Sequence, residues 1–216
     1  MKNNFFNEKE FQQEINAWLK EAENIVFFEK IIEKAFEFYK SDCFHSKRVS
    51  KILFYWGKKR GESERVIKSL RLGGLLHDIG KVFVDENILM KKESLNYLEH
   101  EDIKLHTTKG YELFEFLTDK ETELFKDMIL LHHEKNNGKG YWGIKKTGTA
   151  VKMLTIVDAF DVMITGRHYS LRKTYEETKK EMYKNTPHQF ENKLLEDFFD
   201  VIESEKKFFD IIKTTH

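Results

Sequence analysis

The sequence predicts an all-α fold, and two observations carry the prediction. Proline occurs once and glycine 11 times in 216 residues, so long stretches run without the residues that punctuate loops. Within them the apolar positions recur at three- and four-residue steps, the period of a helix with one face on a core, instead of the two-residue step of a half-buried strand.

The elements follow in order. From Phe11 to Tyr39 the apolar positions, among them Ile15, Trp18, Leu19, Ile32 and Phe36, lie among eight glutamates and six lysines in residues 1–40. One or two amphipathic helices are predicted there, forming an N-terminal extension over residues 1–40. A helix from about Phe44 to Lys59 is closed by Gly61, and others are predicted over Ser63–Ile79 and Tyr97–Phe116. Helices near Glu121–Glu134 and Thr149–Thr165 follow. Between those two, residues 134–152 hold four glycines and five lysines against one glutamate, which predicts a flexible basic loop suited to gathering anions. After Tyr169 the chain returns to amphipathic helix, with a stripe through Phe190, Leu194, Phe198, Ile202 and Phe208. With no repeat or linker in view, residues 41–216 are predicted to form one domain behind the extension.

Composition excludes several functions. Thirty-seven basic and 37 acidic residues cancel, which argues against a nucleic-acid polymer or an anionic membrane as the main partner. The single cysteine, Cys43, rules out an internal disulfide and thiolate-cluster metal sites, and fits a reducing compartment. A chain of this size needs no metal staple, so a bound metal is expected to be functional. No apolar run approaches the roughly 20 residues of a membrane span. The start, MKNNFFNEKEF, meets acidic residues before an apolar signal-peptide core could form. A cytoplasmic protein is expected.

The chemistry lies in the histidines and aspartates. At helical spacing His45 shares a face with Val49, Ile52 and Trp56, and His77 with Val66, Leu70, Gly73 and Gly74, where the glycines allow close helix approach. His106 shares one with Gly110 and Leu113, His132 and His133 continue that of Phe125 and Met128, and Asp158 that of Val151 and Leu154. Burying one such group without a partner costs on the order of 1 to 3 kcal/mol, so several isolated burials are improbable, whereas one shared metal centre satisfies all of them. The adjacent pairs His77-Asp78 and His132-His133 diverge by about 100° on a helix, and so flank a centre as ligands of two close ions would. A carboxylate such as Asp78 can bridge two ions; an imidazole cannot. Nitrogen and oxygen donors without thiolate suit Fe, Mn, Zn or similar divalent metals.

These residues stand in recognisable strings. HDIGK at His77–Lys81, preceded by LGGLL, resembles the HD superfamily of metal-dependent phosphohydrolases. LHHEKNNGKGYW at Leu131–Trp142 resembles the HHE-x-x-x-G-x-GYP motif of the HD-GYP subfamily, the bacterial cyclic-di-GMP phosphodiesterases. The likeness runs from FHSKRV at Phe44 through ILMK at Ile88, HTTKG at His106 and TIVDAFDVMITGRHY ending at Tyr169, and weakly to HQFE at His188. It implies a compact helical domain in which His45, His77, Asp78 and Asp158 hold one metal and Asp78, His106, His132 and His133 the second. Fe or Mn is expected first, with Zn, Ni and Mg as alternatives. Some relatives hold a third ion through a glutamate at the position of Ser41, so two ions are expected here. Asp42 is at the wrong spacing to substitute, and His100 falls on a non-ligand position.

For the reaction, Asp78 and Lys81 are the expected catalytic residues, Asp78 as the shared ligand and Lys81 as a point charge for a phosphate oxygen or leaving group. The resemblance implies phosphate contacts for Lys91 and Arg167. Asp161, one turn beyond Asp158, is a candidate for a supporting or guanine-facing role, and Tyr141 for stacking on a base. The first reading is hydrolysis of a cyclic dinucleotide, by default cyclic-di-GMP, to a linear dinucleotide or GMP by a metal-activated hydroxide. The alternatives are another nucleotide or phosphate ester as substrate, or a weakly active metal-containing nucleotide sensor signalling through the N-terminal helices, which also leave room for a homodimer or regulatory partner. Two departures concern the ligand: Trp142 replaces the proline of GYP, and TGRHYS at Thr165–Ser170 lacks an aspartate and a second arginine.

Overall fold

The computed structural model describes residues 25–36, 40–115, 117, 120–166 and 172–204. These form α1 (Ile25–Ala35), α2 (Lys40–Lys59), α3 (Glu64–Leu76), a 3₁₀ turn (Ile79–Phe83), the short α4 (Glu86–Leu89), α5 (Tyr97–Glu112), α6 (Lys120–Leu131), α7 (Thr149–Thr165), α8 (Tyr175–Lys184) and α9 (Asn192–Ser204). No strand occurs among the described residues, so the all-α prediction holds. Residues 1–24, the GRHYS segment after Gly166 and Phe208 lie outside the described residues.

Local chemistry sets the helix ends. Ser63 caps α3 by accepting from the Val66 amide, and Asn96 with Glu99 closes a capping box at α5, as Thr174 with Glu177 does at α8. Each satisfies amides that a helix start leaves without a partner. Gly61, at φ 70°, ends the chain path out of α2 as expected.

Helix α7 runs through the centre, and ten of its residues from Ala150 to Asp161 are buried. Around it Trp56 of α2, Phe160 of α7 and Phe198 and Phe199 of α9 make an aromatic core, with the Trp56 indole donating to Asp197 at 2.8 Å. A second cluster joins Ile32 and Phe36 to Leu75, Leu76, Ile79, Phe114 and Phe125, so the packing crosses residue 40. The expected close approach at Gly73 and Gly74 is present: a Cβ on Gly74 would lie 3.0 Å from the Ser50 Cα of α2, and one on Gly73 2.6 Å from Met128 of α6.

Three helices end earlier than the periodicity predicts, and two of these breaks matter. Helix α3 stops at Leu76 with His77 as its cap, and Asp78 takes φ −96°, ψ 2° before the 3₁₀ turn. Helix α6 stops at Leu131, leaving His132 and His133 in the following turn. The adjacent pairs therefore owe their divergence to helix ends instead of to the 100° helical step. The cause at Asp78 is steric. The chain must lie flat on α5 at Gly80, where even a Cβ would come 1.9 Å from the His106 carbonyl oxygen. A tertiary contact of that kind leaves no trace in hydrophobic period.

Candidate metal centre

Five parts of the chain bring seven donors together: His45 from α2, His77 and Asp78 from the end of α3, His106 from α5, His132 and His133 from the end of α6, and Asp158 from α7. His45, His77, Asp78, His106, His132 and Asp158 are buried and His133 half-buried. The donors fall into two groups that meet at Asp78, one with His45 and His77, the other with His106, His132 and His133.

The two carboxylate oxygens of Asp78 face different groups. Oδ2 lies 3.4 Å from His77 Nε2 and 4.0 Å from His45 Nε2, while Oδ1 lies 3.4 Å from His106 Nε2 and 3.9 Å from His132 Nε2. Asp158 Oδ1 completes the first group at 3.1 Å from His45 Nε2 and 3.9 Å from His77 Nε2.

The outer nitrogens fix the tautomers. Nδ1 of His77, His106 and His132 each donates to the carbonyl three residues back, Gly74 at 2.9 Å, Ile103 at 2.6 Å and Ile129 at 2.8 Å. His45 Nδ1 donates instead to the Asp161 carboxylate at 2.7 Å. In each neutral ring the proton therefore sits on Nδ1 and the Nε2 lone pair points inward. Those lone pairs confront one another, His45 against His77 at 3.2 Å and His106 against His132 at 3.3 Å. Two acceptors at hydrogen-bond distance with no proton between them repel, and a cation between them reverses the sign.

Electrostatics prepares the same state. Burial lowers the His106 pKa to about 4 and that of His133 to about 3, and with the neighbouring imidazoles holds His132 well below its ordinary value. Burial would raise the Asp78 carboxyl, but the Lys81 ammonium and the His77 and His106 rings hold it well below the carboxylate range. At neutral pH the centre thus offers an ionised Asp78 carboxylate and neutral imidazoles at His106, His132 and His133, the protonation states that metal ligation requires. With five imidazoles, two carboxylates and no thiolate, the donor set fits borderline divalent metals.

The remaining predicted residues are placed as follows. Lys81 is buried, its Nζ 2.6 Å from Asp78 Oδ2 and 2.9 Å from Asp42 Oδ1. Asp42 thereby acts on the lysine. Tyr141 packs its ring 4.5 Å from that of His133, with Lys104 Nζ 5.8 Å from its centroid. Lys91 is held by both Glu99 oxygens, at 2.6 and 2.7 Å, on the capping box of α5. His100 is exposed. Arg167 lies outside the described residues. Asp161, expected in a supporting or guanine-facing role, is 1% exposed and lies behind the His45 ring, with its oxygens on His45 Nδ1 and on Arg48 Nε and Nη2 at 2.7 and 2.8 Å.

Sequence reasoning missed three contributors. Arg48, 5% exposed, sits one turn after His45 on the same apolar face, a place where a buried cation implies a buried anion. Glu134, 4% exposed, follows the paired histidines; its carboxylate accepts from the Trp142 and Ile144 amides at 2.6 and 2.9 Å and gathers the glycine-rich loop. Thr107 accepts the Trp142 indole proton at 3.2 Å, a contact with no sequence signal.

Residues 44–163 match the HD domain family. The chain is 30% identical over 141 residues, 64% of its length, to a cyclic di-GMP phosphodiesterase of Thermotoga maritima. It is also 30% identical over 130 residues, 58% of its length, to a 3'3'-cGAMP-specific phosphodiesterase of Vibrio cholerae. It covers 38% and 29% of those two proteins, so it spans about a third of their length. An HDG"Y"P protein from Bdellovibrio bacteriovorus superposes with a TM-score of 0.60 at 18% identity, over 91% of this chain and 70% of that one. The likeness to HD-GYP proteins read from the motifs is thus borne out, and with the match spanning more than half of its residues the chain belongs to the HD domain family.

Proposed function

We propose that this chain hydrolyses a phosphodiester of a cyclic dinucleotide, cyclic-di-GMP first, at a centre of two divalent ions sharing Asp78. One observation carries the reading: the paired Nε2 lone pairs, 3.2 Å apart for His45 and His77 and 3.3 Å for His106 and His132, on the two sides of one carboxylate. The ligands of one ion would be His45, His77, Asp78 and Asp158, and those of the other Asp78, His106, His132 and His133. Fe or Mn fits the donors first, with Zn, Ni and Mg as alternatives. When bound, a pair of such ions supplies positive charge to the phosphate and lowers the pKa of water.

The protein's own contribution is positional. Asp78 keeps its two oxygens directed to the two groups. Lys81, held beside it by Asp42, presents an ammonium to a phosphate oxygen or to the departing ribose oxygen. In the net reaction water adds to phosphorus, one P–O ester bond breaks, and the proton passes to the released hydroxyl. The first product is a linear dinucleotide, and a second round gives GMP. The basic loop with Lys135, Lys139, Lys145 and Lys146 adds a salt-sensitive attraction for the dianionic substrate. Phosphate contacts from Lys91 and Arg167 belong to this reading, as do regulatory or dimer contacts through the residues before 40.

A second reading keeps the metals and changes the ester, and Trp142 is the observation that favours it, because it alters the loop beside the ligands while leaving the donors intact. Relatives named for cyclic-di-GMP and for 3'3'-cGAMP match the chain at similar identity, so the base preference is the open variable. Elemental analysis of protein purified without oxygen should return two ions per chain. A panel of cyclic-di-GMP, mixed cyclic dinucleotides and a generic diester should show linear products. Metal-loaded protein that cleaves the generic diester and no cyclic dinucleotide would overturn the first reading in favour of the second.

A further inference from the structure

We propose that Trp142 is a specificity-determining positioning residue, which pins the glycine-rich loop to α5 through a side-chain hydrogen bond and thereby sets affinity for a substrate large enough to reach that loop. The inference rests on the phosphodiesterase reading given above and concerns the same site.

The loop is tied at two levels. At its base, the Asn136 and Asn137 amides donate to the carbonyls of Gln189 and His188 at 3.1 and 2.9 Å. Above that, Glu134 accepts from the backbone amides of Trp142 and Ile144. The first pair ties the loop's base to the segment between α8 and α9, and the Glu134 bonds gather the loop on itself. The tie from its tip to the opposite wall of the site is the indole of Trp142, whose Nε1 donates to Thr107 Oγ1 at 3.2 Å. Thr107 is fully buried beside His106, and its own proton is committed to the Lys104 carbonyl at 3.0 Å, which leaves a lone pair facing the indole. The bond therefore has one polarity and a fixed anchor.

What the bond holds is the loop's position against the donors. Tyr141, one residue earlier, rests on His133 at 4.5 Å, and Lys104, one turn before Thr107, lies over the same ring. Tyr141 is thus half-buried and engaged, whereas Trp142 is 41% exposed and presents the open aromatic face of the loop. A proline would stiffen this position through its backbone ring. Tryptophan gives no backbone constraint and instead ties the loop across to a neighbouring helix. A loop held ready costs less to order when a large ligand binds, and that saving appears as affinity shared by ground and transition states. A small diester that touches only the donors gains nothing from it.

The test compares wild type with Thr107→Val, Thr107→Ser and Trp142→Phe. Thr107→Val keeps shape and removes the acceptor, Thr107→Ser keeps the acceptor, and Trp142→Phe keeps an aromatic face and removes the donor. Hydrogen exchange over residues 138–146 should accelerate in Thr107→Val and Trp142→Phe and stay at the wild-type rate in Thr107→Ser. For cyclic-di-GMP, KM should rise roughly 2- to 10-fold in the first two variants, the span of one lost hydrogen bond, with kcat and metal content unchanged. KM for bis(4-nitrophenyl) phosphate should not move. Unchanged loop exchange in Thr107→Val, or an equal KM rise for the small diester, overturns the proposal. A wild type that is fully metal-loaded yet cleaves neither ester refutes the phosphodiesterase reading instead, and the exchange rates still decide whether the bond holds the loop.

Discussion

Substituting Asp161 by asparagine isolates a contribution that no metal ligand makes. Its carboxylate, 1% exposed, accepts from His45 Nδ1 at 2.7 Å and from Arg48 Nε and Nη2 at 2.7 and 2.8 Å. Asparagine is nearly isosteric but has one acceptor oxygen and one NH₂ group where three donors converge. If the amide oxygen turns to Arg48, its NH₂ faces His45 and selects the tautomer with a proton on Nε2, the atom required as a metal donor. If the oxygen turns to His45, it still accepts from Arg48 Nη2, which shares Asp161 Oδ2 with His45, and the new NH₂ faces Arg48 Nε, a donor against a donor. The first outcome weakens metal binding by about 10- to 100-fold, or about 1.4 to 2.7 kcal/mol. Either orientation removes the charge opposite the buried Arg48, at a cost of roughly 3 to 5 kcal/mol and a melting shift on the order of 10 °C. Metal titration followed by elemental analysis reads the former, and thermal unfolding of chelator-treated protein the latter. An Asp161→Asn protein with wild-type metal affinity and wild-type apo stability would refute the orienting role of the Arg48–Asp161 pair.

Other expectations follow from the same geometry. Asp78→Ala should lose most bound metal and all hydrolysis, because both groups of donors lose their shared oxygen, while His100→Ala should keep both; equal metal loss would refute the ligand assignment. Lys81→Ala should retain its ions and lose about 10²-fold or more in kcat, as removal of a charge-stabilising donor does, and a metal-depleted variant with normal turnover per ion would contradict that role. Apo protein should be acid-labile. Burial lowers the His106 pKa to about 4 against about 6.5 in the unfolded chain. The unfolded state then binds more protons between those values, and stability present above about pH 6.5 drains away down to about pH 4, on the order of 3 kcal/mol from His106 alone. Urea midpoints of chelator-treated protein that stay flat from pH 7 to pH 5 would contradict the burial of neutral imidazoles.

Much of this centre was legible because it is assembled from side chains whose burial is costly. His45, His106 and Asp158 sit inside helices on apolar faces, so period alone shows that they point inward, and shared satisfaction then gathers them. His77, Asp78, His132 and His133 point to the same centre from sequence, but for a different geometric reason. They lie where α3 and α6 end, and the first of those ends is set by α5 against Gly80, a contact between residues 26 apart in the chain. Hydrophobic period records which face of a helix is buried, and it does not record where a distant element forces the helix to stop.

Two of the residues that escaped sequence reading, Arg48 and Thr107, act through a partner remote in sequence. Arg48 finds Asp161 across 113 residues and Trp142 finds Thr107 across 35. A motif reports a residue that must touch the reacting group, since chemistry fixes its type and spacing. A supporting residue is fixed only by reach and charge, so Asp161 reads equally well as a ligand's partner or a base's partner until its depth is known. The same distinction separates what a substitution can change here. The donors and the Nδ1 bonds behind them tolerate little, because any loss strands an inward lone pair or a buried charge. The loop tip, tied by one neutral hydrogen bond over an exposed aromatic face, can change without disturbing the ions. Selectivity among phosphate esters is therefore expected to vary at Trp142 and its neighbours sooner than at the metal centre.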